Sequence, residues 1–233
     1  MDVIDVINAI NKGRLVYTCK CGWIDTGHAN PKSSRPTVGP AYLWSQIKNE
    51  SGRRPKFPGS TGFQVTYTQD AVWSFLGIKM YPGVTRSYRV NEGLSLAEKE
   101  SVALGIFQEV SYAFEQKQLV AFWSGSGFSI EDLASNLLSF YTIVRPGIDY
   151  LKLCTPVGKE ASLKLLGKYP NTFSTKNRDF TPKFFDCDSC ASKGPFLEAL
   201  QKITPAKKGT LYSDWLDMYD WPGGIPPLTG PKY

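Results

Sequence analysis

The chain has 233 residues, 42% of them hydrophobic and 21% charged, a length that buries roughly 70 to 75% of its unfolded surface in a proper core. These proportions exclude a disordered chain, a collagen-like repeat and a coiled coil. The net charge of +6 comes from scattered basic residues, with Arg53-Arg54-x-Lys56 as the tight cluster. That distribution disfavours a nucleic-acid partner, which would want cations concentrated among stacking aromatics, and no RNP, zinc-finger or helix-turn-helix pattern occurs. No apolar run approaches the roughly 18 to 20 residues needed to cross a bilayer, so no transmembrane segment is expected. MDVIDVINAI carries acids where a secretory signal needs a basic patch, which predicts a soluble chain, cytoplasmic at synthesis.

Val3, Ile4, Ile7 and Ile10 recur at helical spacing before Gly13 and predict a helix over 2–12. RLVYTCKCGWI, residues 14–24, is β-branched and aromatic and reads as one strand. Pro31, Pro36, Gly39 and Pro40 mark an irregular loop, long enough to line a site, ahead of a helix over 41–50. Phe63, Val65 and Tyr67 alternate with polar neighbours, as do residues 84–90, so two more strands follow. Ser95-x-x-Glu98 is a capping box that opens the longest helix, reaching about Gln118, with Val102, Ile106, Val110 and Ala113 as its buried stripe. Ser129-x-x-Asp132 opens a second helix that Pro146 breaks, and Gly125-Ser126-Gly127 joins the two as a hairpin. A third helix spans 159–166, after which the chain turns Pro-, Lys- and Cys-rich. The pattern predicts one α+β domain over 1–233: a core at 13–150 with a central helical hairpin and a few antiparallel strands, and a loop-rich C-terminal region at 167–233.

Five cysteines are too few and too odd in number for a disulfide framework. Cys19, Cys21, Cys187 and Cys190 have spacings that would suit a structural zinc if the fold joined the two ends of the chain. Alternation along a strand puts Cys19 and Cys21 on one face. The expectation is nonetheless that no thiolate zinc forms, with buried free thiols at Cys19 and Cys154 and a local disulfide or bare thiols at Cys187 and Cys190.

His28 is the only histidine, so imidazole chemistry must run through it. It closes a strand-to-loop turn, with Asp25 three residues before it and Gly22 and Gly27 allowing close backbone approach. Glu109 borders the apolar stripe of the longest helix, where partial burial would tune it toward a general acid or base unless a cation meets it. Glu115 lies about 120° round the helix from Glu109, so the two cannot share a face. Glu131, Asp132, Ser135 and Asn136 open the second helix, where Asp132 has a capping role and Asn136 shares its face, available to a partner such as Glu109. A Cys19 or Cys21 nucleophile with His28 as base is a long reach along one strand and turn. Phosphate-binding and α/β-hydrolase patterns are missing.

Leu15-Val-Tyr-Thr-Cys19, Gly22-Trp-Ile-Asp25 and His28, with Glu109, Glu115 and Ser129-x-Glu-Asp-Leu-x-Ser-Asn136, resemble a bacterial family of unknown function made up largely of predicted envelope proteins. The resemblance covers residues 13–142. Cys21 departs from the family pattern, and Phe114 stands where the family's E-x-x-x-x-H-E helix would carry a histidine, so a two-histidine metal site is incomplete here. The resemblance implies a role at the cell envelope, while the missing export signal separates this chain from the envelope members and leaves cytoplasmic residence or delivery by a non-classical machine such as a contractile injection system. Together these readings predict a hydrolase of a cell-envelope polymer such as peptidoglycan, a delivered effector, with Glu109 as general acid or base, Asp25 and His28 in the same cleft, and Glu115, Asn136 and Cys19 in support. It requires no cofactor. A metal-dependent version would use Asp25, His28 and Glu109 as zinc ligands, and the non-enzymatic alternative is a binding or toxin-accessory domain in which these groups form a buried polar network.

Overall fold

The computed structural model describes residues 3–30, 35–55, 61–75, 78–120, 127–191 and 194–215. Gly125 and Ser126 of the expected hairpin connection, Pro31, Lys56 and the last part of the C-terminal region lie outside them. The fold is α+β: among the described residues, six α-helices accompany short antiparallel strands.

Two apolar clusters organise the chain. The larger packs α2 (Pro40–Asn49), α3 (Leu96–Val120) and α4 (Asp132–Val144) against a three-stranded antiparallel sheet in the order β3-β6-β7. Its outer strand β3 (Phe63–Asp70) alternates, burying Phe63, Val65 and Tyr67, as the period-2 pattern requires. It pairs with β6 (Gly83–Val90), which in turn pairs with β7 (Tyr212–Asp214) from the C-terminal region. The free edge of β3 is met by Gln46 of α2, whose amide donates to the Thr66 carbonyl at 2.8 Å and accepts its N–H at 3.0 Å, so this edge is partly satisfied by a side chain. Between β3 and β6 the chain makes a short ribbon, β4 (Trp73–Phe75) with β5 (Ile78–Met80), which the sequence pattern does not disclose.

The smaller cluster gathers α1 (Val3–Asn11), the hairpin β1 (Leu15–Thr18) and β2 (Gly22–Asp25), and α6 (Lys159–Lys168), around Trp23, Tyr17, Leu165 and Phe173. Here the sequence expectation for α1 fails in detail. The helix buries Val6 and Ile10, one i,i+4 pair, against β1 and α6, and leaves Val3 53% and Ile4 70% exposed.

The single strand expected over 14–24 is instead a hairpin. Its three-residue loop, 19–21, ends at Gly22, whose φ of 64° lies in the left-handed region that only glycine enters freely. A Cβ on Gly22 would also fall 2.6 Å from the Lys183 carbonyl of the C-terminal segment. Thr18 tightens the loop: its hydroxyl donates to the Gly22 carbonyl at 2.9 Å and accepts the Cys21 N–H at 3.1 Å.

That turn overturns the expectations for the cysteines. Cys19 and Cys21 sit in the loop rather than on one strand face, and each is bonded elsewhere: Cys19 to Cys190 and Cys21 to Cys154. Cys154 closes α5 (Tyr150–Leu153). Cys19, Cys21 and Cys190 therefore cannot supply thiolates to zinc, Cys19 is neither nucleophile nor free thiol, and Cys187 keeps the free thiol. No helix among the described residues is long and apolar enough to cross a membrane.

Candidate functional site

The site lies on the seam between the two clusters, where the end of β2 meets the start of α4. Asp25 closes β2, and its carboxylate accepts the Gly27 N–H at 2.7 Å and the His28 N–H at 3.4 Å, a side-chain-closed turn. Arg14 clasps the same carboxylate, Nε at 3.1 Å and Nη2 at 3.0 Å from Oδ2. The Asp25 N–H donates to Ser135 Oγ at 2.9 Å, and that hydroxyl donates to the Glu131 carbonyl at 2.6 Å, which fixes the turn against the first turn of α4. Asp25 is thus a brace for the loop that carries His28.

The brace sets His28 beside Asp132, with Nδ1 3.4 Å from Oδ1. The imidazole keeps 44% of its surface, whereas Asp132 is 5% exposed and Glu115 and Glu131 are each 1% exposed. Asp132 Oδ2 accepts the Ser129 N–H at 2.7 Å, the capping role read from Ser129-x-x-Asp132, while its other oxygen faces the imidazole. Glu131 Oε2 accepts the Ser129 hydroxyl at 2.7 Å. Glu115 arrives from α3, its Oε2 accepting the Phe128 N–H at 2.9 Å and its carboxyl within hydrogen-bond range of Asp132, a contact that a shared proton satisfies.

The charges settle accordingly. Desolvation lowers the affinity of His28 for a proton, but the hydrogen bond and charge of Asp132, helped by Asp25 and Glu131, outweigh it and raise the imidazole to about 9. Desolvation and the neighbouring Asp132 charge push Glu115 up to about 9, against the pull of the Phe128 N–H and His28. Glu131 is pushed up to about 7 by the same two causes, with the Ser129 hydroxyl opposing. Near neutral pH the cluster thus holds an imidazolium, a protonated Glu115 and a half-titrated Glu131.

Two cavities open on either side of His28. The larger, about 480 Å³, runs between α3, α4 and β3, and includes Glu115, Asn136 and Phe114 in its wall. The smaller, about 170 Å³, is lined by Asp25, Glu131, Asp132 and Lys176; both share Arg14, His28 and Gln118.

Of the residues expected in one cleft, the structure brings together Asp25, His28, Glu115 and Asn136 and leaves Glu109 out. Glu109 points to the other side of α3, where Arg86 and, at 3.0 Å, Lys208 hold its carboxylate. Those cations are the exception that partial burial allowed for, and the 120° between Glu109 and Glu115 works in reverse, because Glu115 faces the site. Asn136 accordingly shares the larger cavity with Glu115 rather than with Glu109. An Asp25, His28, Glu109 metal set is ruled out by this placement, and among the described residues no group of three or more His, Cys, Asp or Glu side chains is placed to hold a metal ion.

Sequence reasoning assigned Asp132 and Glu131 to the helix terminus alone. The signal that could have found them is the doubled acid at a helix start facing a solitary histidine. A neighbouring glycine makes the approach feasible: a Cβ on Gly127 would fall 2.2 Å from the Glu115 carbonyl and 2.5 Å from the Leu119 nitrogen. Gly127→Ala should therefore push the 127–129 segment off α3, weaken the Phe128-to-Glu115 hydrogen bond and cost about 1 to 3 kcal/mol. Denaturant unfolding measures it, and an unchanged midpoint would show that the segment does not need this close approach.

Compared with known protein families, curated proteins and solved structures, the chain matches none.

Proposed function

We propose that the chain is an acid–base hydrolase of a cell-envelope polymer such as peptidoglycan. The observation that carries this reading is the convergence of His28, Glu115, Glu131 and Asp132, from three separate segments, on the wall between two open cavities. A buried carboxylate on Nδ1 orients an imidazole whose other nitrogen is left to a substrate, the arrangement of a positioned general acid. Glu131, titrating near 7, suits a general base that takes a proton from water in the smaller cavity. His28, still protonated at that pH, then delivers a proton to the leaving group. Glu115, protonated there, packs against the Asp132 side chain that orients His28.

The geometry also bears on the bond cleaved. Two carboxyl groups that flank a glycosidic bond stand about 5 to 9.5 Å apart, with the sugar between them. Asp132 is instead engaged by His28 at 3.4 Å and the Ser129 N–H at 2.7 Å, and Glu115 by the Phe128 N–H at 2.9 Å, so neither is left to flank a sugar and an amide or ester linkage fits better. Two disulfides fit an oxidising compartment, where such polymers lie, and the resemblance of the strand motif to envelope proteins points the same way.

Digestion of purified sacculi against pH tests the reading. The rate should rise across about pH 7 as the base ionises and fall across about pH 9 as the acid loses its proton, limbs that belong to the coupled cluster. His28→Gln should lower kcat/KM by about 100-fold or more, and Glu131→Gln should abolish the acidic limb. Wild-type protein that releases no fragments would overturn it.

One observation favours a second reading. Glu115, Glu131 and Asp132 are almost completely buried and each accepts a hydrogen bond, as in a non-enzymatic domain stabilised by a polar network. In that case His28→Gln lowers the melting temperature and no substrate is turned over.

A further inference from the structure

Beyond the acid–base cluster, the larger cavity carries polar side chains that the fold leaves unused. Asp132, Asn136 and Ser139 are spaced by four and seven residues on α4, which returns them to one stripe of the helix. At 1.5 Å per residue, Asn136 and Ser139 stand about 6 Å and about 10.5 Å along the axis from Asp132. Both line the cavity, and neither makes a side-chain hydrogen bond among the described residues, although Ser139 is only 4% exposed. The Ser139 hydroxyl opens on the cavity, so it and the Asn136 amide are available there to a ligand's polar groups.

Across the cavity Gln69 offers a donor of fixed orientation. Its Oε1 accepts the Ser111 hydroxyl at 2.6 Å and the Tyr67 hydroxyl at 3.3 Å, which assigns the amide and leaves its NH₂ group to the cavity. The floor between these groups is apolar, formed by Phe107 and Phe114. Those rings are 2% and 6% exposed, so they give a surface for a methyl group and no face on which a sugar ring could stack. The cationic groups of this wall are already matched, Arg14 by Asp25 and His28 by Asp132, which leaves no spare charge for an anionic ligand.

A donor from Gln69, a donor and acceptor from Asn136, a hydroxyl and an apolar floor complement one chemical group: a secondary acetamide, with its carbonyl, its N–H and its methyl. We infer that the strip formed by Gln69, Asn136 and Ser139 is a recognition subsite for an N-acetylated sugar unit, about one residue along the polymer from the bond at His28. The inference rests on the hydrolase reading for its polymer and on the cavity alone for its binding.

Titration calorimetry with the β-1,4-linked tetramer of N-acetylglucosamine tests it, on wild-type protein and on Glu115→Gln. The acetylated tetramer should bind at least about tenfold tighter than the glucose tetramer, which keeps the hydroxyls and lacks the acetamide. Asn136→Ala, on a half-buried helical position, should lose about tenfold, and Ser139→Ala should add to the loss. Circular dichroism and a thermal melt confirm that each variant is folded. Equal affinity for the two tetramers, absence of binding, or binding unmoved by both substitutions overturns the subsite. Preference for acetyl-alanyl-alanine over the sugar overturns the sugar as the acetamide's source. Because the readout is binding, a protein that recognises the tetramer and digests nothing keeps the subsite and loses the hydrolase. One that digests sacculi without this preference does the opposite.

Discussion

Raising the pH from about 5 to about 9 should lower the melting temperature of this protein, although most proteins are near their most stable within that window. The sign follows from three groups. Glu115 rises from an ordinary carboxyl value of 4.5 to about 9 in the folded state, Glu131 from 4.5 to about 7, and His28 from 6.5 to about 9. Each folded value lies above its unfolded one, so between the two the folded state holds more protons and stability falls as pH climbs. The carboxyl contribution is fully present below about 4.5 and is lost through about 7 for Glu131 and about 9 for Glu115. The His28 contribution is fully present below about 6.5 and is lost through about 9. Because the groups are coupled, the combined loss is best bounded from below, at more than about 1.4 kcal/mol, the equivalent of one pKa unit.

Glu115→Gln isolates the cause. Glutamine copies the protonated acid, with an oxygen for the Phe128 N–H and an NH₂ for Asp132. The variant should match wild type at about pH 5, exceed it at about pH 9 and flatten the profile. Differential scanning calorimetry across that range decides; a wild-type melting temperature that rises with pH, or a variant with the same slope, would refute the assignment of a protonated Glu115.

Reduction of the disulfides should have the largest effect of all. Cys21 and Cys154 close a separation of 133 residues, which chain entropy values at about 5 kcal/mol. With that bond in place, Cys19 and Cys190 close only the stretch from Cys154 to Cys190 together with the two-residue step between Cys19 and Cys21. That loop of roughly 38 residues is worth about 4 kcal/mol. The sum rivals the entire stability of a typical domain, about 5 to 15 kcal/mol, so the fully reduced protein should be unfolded or nearly so at 37 °C. The two bonds should also open in order. Cys21 and Cys154 are wholly buried, whereas Cys19 and Cys190 are partly exposed and should be reduced first under mild thiol. Mass spectrometry of alkylated intermediates and a melt of each species measure both. Fully reduced protein that melts where oxidised protein does would contradict the entropic estimate.

The legible parts of the fold were those where local chemistry decides. The alternation of Phe63, Val65 and Tyr67 and the capping box at Ser95 need only near neighbours, and the strand and helix they foretell are present. The β1 and β2 hairpin escapes the sequence pattern because β-branched and aromatic residues run on both sides of its turn, which places Gly22 inside a single strand over 14–24. The disulfides were beyond sequence: five cysteines permit many pairings, and only tertiary structure brings residues 19 and 190 together. At the site, the pairing of His28 with an acid was expected, but the acid is Asp132, because the Asp25 carboxylate is taken up by Arg14 and its own turn. Glu109 and Glu115 were distinguished correctly as lying on different faces. Which face meets the hairpin depends on how α3 packs, and no single helix encodes that.

The hairpin loop also bears on how the molecule is made. A ribosome or a translocation channel releases Cys19 and Cys21 together, yet their partners emerge 171 and 133 residues later. Until those partners emerge two neighbouring thiols wait side by side, free to join each other or to react with small-molecule oxidants. When the remainder arrives, Cys187, which keeps its free thiol in the folded protein, competes with Cys190 for Cys19. Recombinant yield should therefore depend on a disulfide-shuffling catalyst, and the hairpin loop is locked only after residue 190 has emerged.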